Sequence, residues 1–108
     1  MATLEVLKDC GENYKYQGPR FIELGPDSGE EFRKEYLIPW LEKNKNTIDL
    51  AVDFAGTSVY TPSFLEESFG GAIREGYEIV KRLKFKNIPD KQLLKLKEYI
   101  EKARIEKK

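Results

Sequence analysis

Large apolar residues occupy every second position from Ile48 to Phe54, with Asp49, Ala51 and Asp53 between them. This period of two predicts a β-strand with one face covered by helices and the other face left more open. From Ser28 onward the apolar residues recur at helical spacing instead, through Phe32 and Trp40. That spacing predicts an amphipathic helix immediately before the strand.

The limits of this first helix are also visible in the sequence. Asp27 or Ser28 can cap its start, because their side-chain oxygens accept hydrogen bonds from the first free N–H groups. Pro39 lies inside the pattern and predicts a kink or a new turn, since its ring clashes with the preceding turn. Asn44 and Asn46 end the helix.

A second helix is predicted from Thr61 to about Leu83. Thr61 is a suitable N-cap because a proline follows at the first helical position. Ser63 with Glu66 is an alternative capping box one step later. The glycine pair at 70–71 costs about 1 kcal/mol per residue relative to alanine, which indicates that another backbone approaches the helix closely there.

Shorter segments complete the predicted fold. Residues 4–8 and 20–24 are short apolar segments that predict an antiparallel strand pair. Residues 83–88 predict the last strand, and residues 93–103 a final amphipathic helix. The order ββαβαβα, with right-handed crossovers, predicts a two-layer α/β sandwich. Its mixed four-stranded sheet would carry helices mainly on one face, and the whole chain would form one domain, residues 1–108.

Composition narrows the function classes. A chain of 108 residues has the size of one compact domain. Lys plus Arg and Asp plus Glu number 19 each, and this neutrality argues against nucleic acid or an anionic membrane as the main partner. The chain has no histidine and a single cysteine, Cys10. Internal disulfides, most zinc sites and histidine-dependent nucleophiles are therefore excluded, and we expect no metal and no cofactor.

The cellular compartment follows from the same features. The first residues lack the basic start and apolar core of a signal peptide. No apolar run approaches the ~20 residues that a membrane-spanning helix needs. A lone cysteine suits a reducing compartment, so the sequence predicts a soluble, cytoplasmic protein.

The centre of the chain contains three spaced motifs, which are Asp53 to Gly56, Ser63-Phe64, and Glu67 to Gly70. They resemble the motifs of uncharacterised prokaryotic proteins with a STAS-like domain, which typically show a strand that ends in an Asp-aromatic-x-Gly turn, then a Ser-Phe pair that opens a helix, then an acidic-x-Phe-Gly motif. The preceding residues Leu24 to Arg33 also fit. The likeness covers about residues 20–85.

The resemblance implies a fold and a function. The wider STAS family contains anti-sigma-factor antagonists and cytoplasmic domains of anion transporters, and its fold is a sheet with helices packed against it. In the antagonists a partner kinase of the anti-sigma type phosphorylates the second serine of an Asp-Ser-Ser-Gly motif, which ends binding. That serine corresponds to Ser63, while Thr61, Pro62 and Phe64 replace the other three motif residues.

The leading hypothesis is a non-catalytic regulatory module that binds a partner protein at this strand-to-helix junction. By resemblance the partner would be an ATPase or kinase of the anti-sigma or histidine-kinase type. A phosphate on Ser63 would lie over free N–H groups in the first helical turn, although Ser63 would otherwise only help to cap the helix. Phe64 at an exposed tip would make an interaction anchor. The predicted partner-binding residues are Thr57, Ser58, Tyr60, Thr61, Ser63 and Phe64.

Two other functions remain open. The turn from Gly25 to Gly29, with Ser28, precedes a helix and could hold a small anion or a nucleotide, although a simple capped turn has the same sequence. An enzyme that uses Asp53 and Ser63 would lack a base for the serine.

The remaining polar features have structural explanations. Asp49 and Asp53 share one strand face, and Asp53 is suited to accept N–H groups of the following turn. Cys10 is expected to be inert. The basic residues from Lys81 to Lys86 are expected to protect a sheet edge.

Overall fold

The computed structural model describes residues 2–107, with side chains up to residue 106. Within that range the sheet has three parallel strands in the order β1-β2-β3, which are β1 (Ala2–Glu5), β2 (Leu50–Asp53) and β3 (Lys84–Lys86). The register places Leu4 opposite Val52, and Val52 opposite Phe85. These three side chains form the row of the sheet that faces the helices.

A helix or a single helical turn follows each strand along the chain. Helix α1 covers residues 29–43 and is built from Gly29–Phe32, the π-helical stretch Arg33–Leu37, and Ile38–Lys43. Helix α2 covers residues 62–74 and is built from Pro62–Leu65, the π-helical stretch Glu66–Gly70, and Gly71–Arg74, and α3 is Asp90–Lys107. Single helical turns occur at Val6–Cys10, Glu12–Lys15, Ile22–Leu24 and Glu78–Arg82. Of these helices, none combines the length and the apolar character that a membrane crossing would require.

The alternation in the central strand is reflected only in part in its burial, because Ala51 on the second face is as fully buried as Val52 on the first. Leu50 and Val52 are buried towards the helices. On the opposite face Glu5, Asp53 and Lys86 stand side by side in one row of the register, and the outer two are exposed. The strand itself is shorter than predicted, because it begins at Leu50 and the side chain of Ile48 is 95% exposed.

The antiparallel pair at the start of the chain is the main error of the sequence-based fold. The first strand is Ala2–Glu5, and a helical turn follows it directly. Residues 20–24 contain a turn rather than a strand. The physical reason is that backbone carbonyls at the start of this segment accept hydrogen bonds from α1. The N–H groups of Gly29 and Glu30 donate to the carbonyls of Pro19 and Arg20 at 2.9 and 3.0 Å. The sheet is therefore parallel and three-stranded, not mixed and four-stranded.

Helix α2 is also shorter than the predicted segment to Leu83. It ends at Arg74 because Gly76 adopts a left-handed backbone with φ 106°. The N–H of Tyr77 then donates to the carbonyl of Ala72 at 3.0 Å, and the N–H of Gly76 to that of Ile73 at 2.9 Å. These bonds satisfy carbonyls that a longer helix would otherwise use.

The predicted boundaries of α1 and the start of α2 are confirmed. Ser28 Oγ accepts a hydrogen bond from the Glu31 N–H at 3.0 Å and caps α1. Pro39 lies in the first turn of a new α-helical segment, Ile38–Lys43, as predicted, and the π-helical stretch before it bonds the Ile38 N–H to the Arg33 carbonyl, so that α1 continues. Thr61 has the extended backbone of an N-cap residue, with Pro62 as the first helical residue.

Candidate functional site

A tight bend joins β2 to the segment before α2. Asp53 Oδ1 accepts hydrogen bonds from the Ala55 N–H and from Asn87 Nδ2, both at 2.8 Å. Gly56 has φ 88°, a conformation that favours glycine. The structural role predicted for Asp53, as acceptor for the turn, is therefore confirmed.

The segment that follows the bend is held against the loop after β1. The N–H groups of Ser58 and Val59 both donate to the Lys15 carbonyl, at 2.8 and 3.1 Å, and the Gln17 N–H donates to the Val59 carbonyl at 3.1 Å. Thr61 donates its N–H to Gln17 Oε1 and its hydroxyl to the Gln17 carbonyl, at 2.8 and 2.9 Å. Gln17 is buried. The start of α2 is therefore held by hydrogen bonds from Thr61 to Gln17, and the Thr61 side chain itself does not cap the helix.

Most of the predicted partner-binding residues reach the surface. Ser58 is exposed, and Thr57, Tyr60, Thr61 and Ser63 are half-buried. The structure thus brings them together along one continuous stretch between the bend and the first turn of α2.

Phe64 is the exception, because it is 1% exposed and belongs to the core. Its ring centre lies 5.4 Å from that of Phe32 and 6.0 Å from that of Tyr14. An interaction anchor at Phe64 is therefore excluded in this conformation. Helical spacing contained the signal, since Phe64 lies one turn before Ser68 and two before Ala72 on the face that the core buries.

The anion seat predicted at Gly25, Ser28 and Gly29 is not formed. The first N–H groups of α1 are already donated to Pro19, Arg20 and Ser28. Ser28 is fully buried, and a Cβ on Gly29 would lie 2.6 Å from the Phe64 carbonyl oxygen. The capped-turn interpretation is the one that describes this segment, which is a close contact between α1 and α2.

An ionic network between α1, α2 and the loop before α1 was not predicted from the sequence. The Arg33 Nη1 lies 2.5 Å from Glu67 Oε2 and donates to the Glu67 carbonyl at 2.7 Å, while its Nε contacts Glu75 at 2.7 Å. Arg33 and Glu67 are only 7% and 9% exposed. Arg20 Nη1 contacts Glu67 at 3.2 Å, so the loop is tied to the same carboxylate.

Glu66 is half-buried and forms the outer part of this network. Arg20 approaches one of its oxygens at 2.5 Å and Arg74 the other at 2.6 Å. Burial raises the pKa of Glu66, but hydrogen bonds from Arg74 and Arg20 outweigh it, and the net pKa is lower than usual. The carboxylate is therefore charged over the whole neutral range.

The glycine pair in α2 is explained by this network. A Cβ on Gly71 would lie 2.5 Å from Arg33 Nη1. The sequence predicted a close approach at this point, but by a backbone. The neighbour is instead a buried guanidinium.

An open cleft of about 870 Å³ lies where β1 and β2 end. Ligands of parallel sheets commonly bind beyond the carboxyl ends of the strands. Of the charged residues that line it, three are acidic and two basic: Glu5, Glu12, Asp53, Lys8 and Lys15. This balance does not favour the small anion that the alternative function requires.

The surroundings of Cys10 and Asp49 do not favour a chemical role for either residue. Burial, with a contribution from the Asp9 charge, raises the pKa of the Cys10 thiol from 9.0 to about 12, which disfavours the reactive thiolate. Asp49 lies 3.5 Å from Lys84 on the outer face of the sheet. In the described part of the chain no three His, Cys, Asp or Glu side chains are grouped so as to hold a metal ion.

Comparison with known proteins places these elements in a family. A family model described as a STAS-like domain of unknown function (DUF4325) matches residues 28–92, which is more than half of the chain. The match begins at the cap of α1 and ends at the start of α3, so it contains β2, the bend and the whole of α2. Neither the curated proteins nor the solved structures gave a match. The chain belongs to the family of STAS-like domains of unknown function.

Proposed function

We propose that this domain is a non-catalytic regulatory module that binds a partner protein through the stretch from Thr57 to Ser63. One observation carries the proposal. An uncharged, partly exposed stretch of seven residues is held rigidly at the start of α2 by Gln17. Preorganised surfaces bind with a smaller entropic cost than mobile ones, which suits a recognition surface.

Ser63 supports a regulated form of this binding. It is half-buried and lies in the first turn of α2, where a phosphate interacts favourably with the positive end of the helix dipole. A phosphate carries a charge of about −1.5 to −2 at neutral pH. Because the neighbouring stretch from Thr57 to Pro62 has no charged side chain, such a group would change the character of the whole surface.

The partner class comes from the family likeness alone. We infer an ATPase or kinase of the anti-sigma or histidine-kinase type, with the domain acting in the cytoplasm as a partner-switching component. The small-ligand alternative has lost its support, because the N–H groups at Gly29 and Glu30 that would bind an anion are occupied.

Affinity capture from the native host tests the proposal. Wild-type protein and the variants Ser63→Ala and Ser63→Glu would be used as bait, and captured proteins and phosphorylation at Ser63 would be identified by mass spectrometry. We expect wild type and Ser63→Ala to retain one common partner and Ser63→Glu to lose it, while thermal unfolding shows that all three remain folded. A partner that binds Ser63→Glu as tightly as Ser63→Ala would refute the switch.

A surface variant separates binding from regulation. Val59→Asp places a charge on an exposed side chain of the same stretch, and Ile48→Asp is a matched control because Ile48 is exposed outside it. We expect only Val59→Asp to lose the partner. Equal binding by both variants would contradict the proposed surface.

A further inference from the structure

Exposed apolar side chains are concentrated on one loop of the molecule. Eight large hydrophobic side chains are exposed among the described residues, and four of them lie between residues 16 and 24. These are Tyr16, Phe21, Ile22 and Leu24. Val59 is a fifth, and it pairs with Tyr16 through an isolated parallel bridge. The loop therefore adjoins the stretch for which partner binding is proposed.

The apolar residues are held rigidly at the surface. The Leu24 N–H donates to the Phe21 carbonyl at 3.0 Å, and the Ile22 N–H donates to Glu30 Oε1 at 2.9 Å. Arg20 fixes the beginning of the turn by its contacts with α2. A fixed backbone that exposes adjacent apolar side chains is typical of an interaction site.

A groove of about 420 Å³ is lined by Phe21, Ile22, Glu23 and Glu30. This is enough space for an apolar side chain of a partner. Leu24 follows directly and is 65% exposed. We name these five residues the loop groove.

The charged side chains that line the loop groove are both acidic, Glu23 and Glu30. Arg20 is neutralised by Glu66 and Glu67, and Glu30 by Lys34 at 2.9 Å. Within the described residues Glu23 has no ion-pair or hydrogen-bond partner, so its carboxylate is available.

We propose that the loop groove binds a cationic amphipathic segment of the partner protein. An apolar side chain of that segment enters between Phe21 and Ile22, and a lysine or arginine pairs with Glu23. Apolar anchors with complementary charge at the rim are the usual basis of such recognition. The inference rests on the proposed function, since it names the chemistry of the partner. Nucleic acids and anionic membranes do not fit, because the charge left without a partner at the groove, that of Glu23, is negative.

Synthetic peptides test the chemistry directly. The probe is an amphipathic peptide of leucine and lysine at helical spacing, and its counterpart carries glutamate in place of lysine. Amide chemical shifts of the isotope-labelled full chain are followed during titration. We expect shifts at Phe21, Ile22 and Leu24 with the lysine peptide only. Equal binding of the glutamate peptide, or shifts elsewhere with none in the loop groove, would overturn the proposal.

Two double variants of matched chemistry distinguish a loss of peptide binding from a loss of folding. Ile22→Ser with Leu24→Ser should weaken binding of the lysine peptide at least about tenfold, since two anchors are removed. Leu94→Ser with Ile105→Ser changes equally exposed residues of α3 and should leave affinity unchanged. Equal affinities of the two double variants would contradict the proposal. For Glu23→Gln we expect affinity to fall and its salt dependence to flatten.

The two proposals fail in different ways when the captured partner is used in place of the peptide. If Ser63→Glu loses the partner and the Ile22, Leu24 variant keeps it, the regulatory function stands and the loop groove is refuted. If only the Ile22, Leu24 variant loses it, the groove stands and the switch is refuted. If both variants keep it, both proposals are wrong.

Discussion

Replacing Gly71 by alanine gives a test in which local and tertiary physics predict opposite signs. Gly71 has helical backbone angles, φ −60° and ψ −38°. Helix propensity alone therefore predicts that Gly71→Ala stabilises the protein by about 1 kcal/mol. In the folded chain, however, the new methyl group would lie 2.5 Å from Arg33 Nη1 and 3.1 Å from its Cδ. One of the groups must move.

The free-energy cost of Gly71→Ala depends on which interactions the Arg33 guanidinium would lose. Arg33 Nη1 bonds to both the carboxylate and the carbonyl of Glu67. Breaking a buried ion pair by removing one partner costs roughly 3–5 kcal/mol. Glu67 keeps Arg20 at 3.2 Å, so we take a loss of about 2–3 kcal/mol, below that range. After subtraction of the helix gain, Gly71→Ala should destabilise by about 1–2 kcal/mol.

Equilibrium unfolding in urea measures the interaction between positions 71 and 33 as a double-mutant cycle. In an Arg33→Ala background the obstruction is absent, so Gly71→Ala should stabilise by about 1 kcal/mol, with a coupling of about 2–3 kcal/mol. Gly70→Ala is the neighbouring control, because its Cβ would meet the partly exposed ends of Glu66 and Arg74, at 2.7 and 3.4 Å, and not the buried Arg33. We expect the control to be neutral or stabilising. If Gly71→Ala stabilises wild-type protein as much as the control does, the network does not constrain the helix and the reasoning is wrong.

Three further substitutions examine the core and the junction. Phe64→Ala should destabilise by about 3–5 kcal/mol in urea unfolding because the ring is buried, whereas Ile48→Ala should change stability by less than about 0.5 kcal/mol; similar values for the two would show that Phe64 is not packed. Thr61→Val removes the hydroxyl that donates to Gln17 and should cost about 1 kcal/mol by the same measurement, and no loss would mean that water replaces this bond. Burial raises the pKa of the Cys10 thiol from 9.0 to about 12. The stabilising contribution of the protonated thiol is therefore complete below pH 9 and falls by up to ~1.4 kcal/mol per pH unit between pH 9 and 12, where only the unfolded thiol ionises. The free energy of unfolding should decline more steeply with pH for wild type than for Cys10→Ala across this range, and parallel curves would argue against burial of the thiol.

The elements that the sequence predicted correctly are those set by local physics. The Ser28 cap, the start of α2 at Pro62 and the acceptor role of Asp53 each depend on a few neighbouring residues. Residues 20–24 have the composition of a strand, yet their position depends on α1, whose first N–H groups use the Pro19 and Arg20 carbonyls. That competition between partners distant in sequence is invisible in a pattern of apolar positions.

The ionic network shows the same limit at the candidate site. Arg33 and Glu67 look like ordinary surface charges in the sequence, because each lies directly beside another residue of the same charge. Their burial follows from the closeness of α1 and α2, which Gly29 and Gly71 permit. The glycine pair in α2 was the one visible sign of that contact, and it identified the place without the partner.

This network gives a physical reason for treating the two proposed surfaces as parts of one unit. Arg20 receives the Glu30 N–H on its carbonyl and binds Glu66 and Glu67 with its side chain, so the loop, α1 and α2 share one residue. Ser63 lies one helical turn before Glu66 and Glu67, the spacing at which side chains of a helix interact. A negative charge added at Ser63 would therefore repel the same carboxylates that hold Arg20 in place. Because the loop groove begins at the next residue, Phe21, regulation at the helix start and recognition by the loop would act through the same guanidinium.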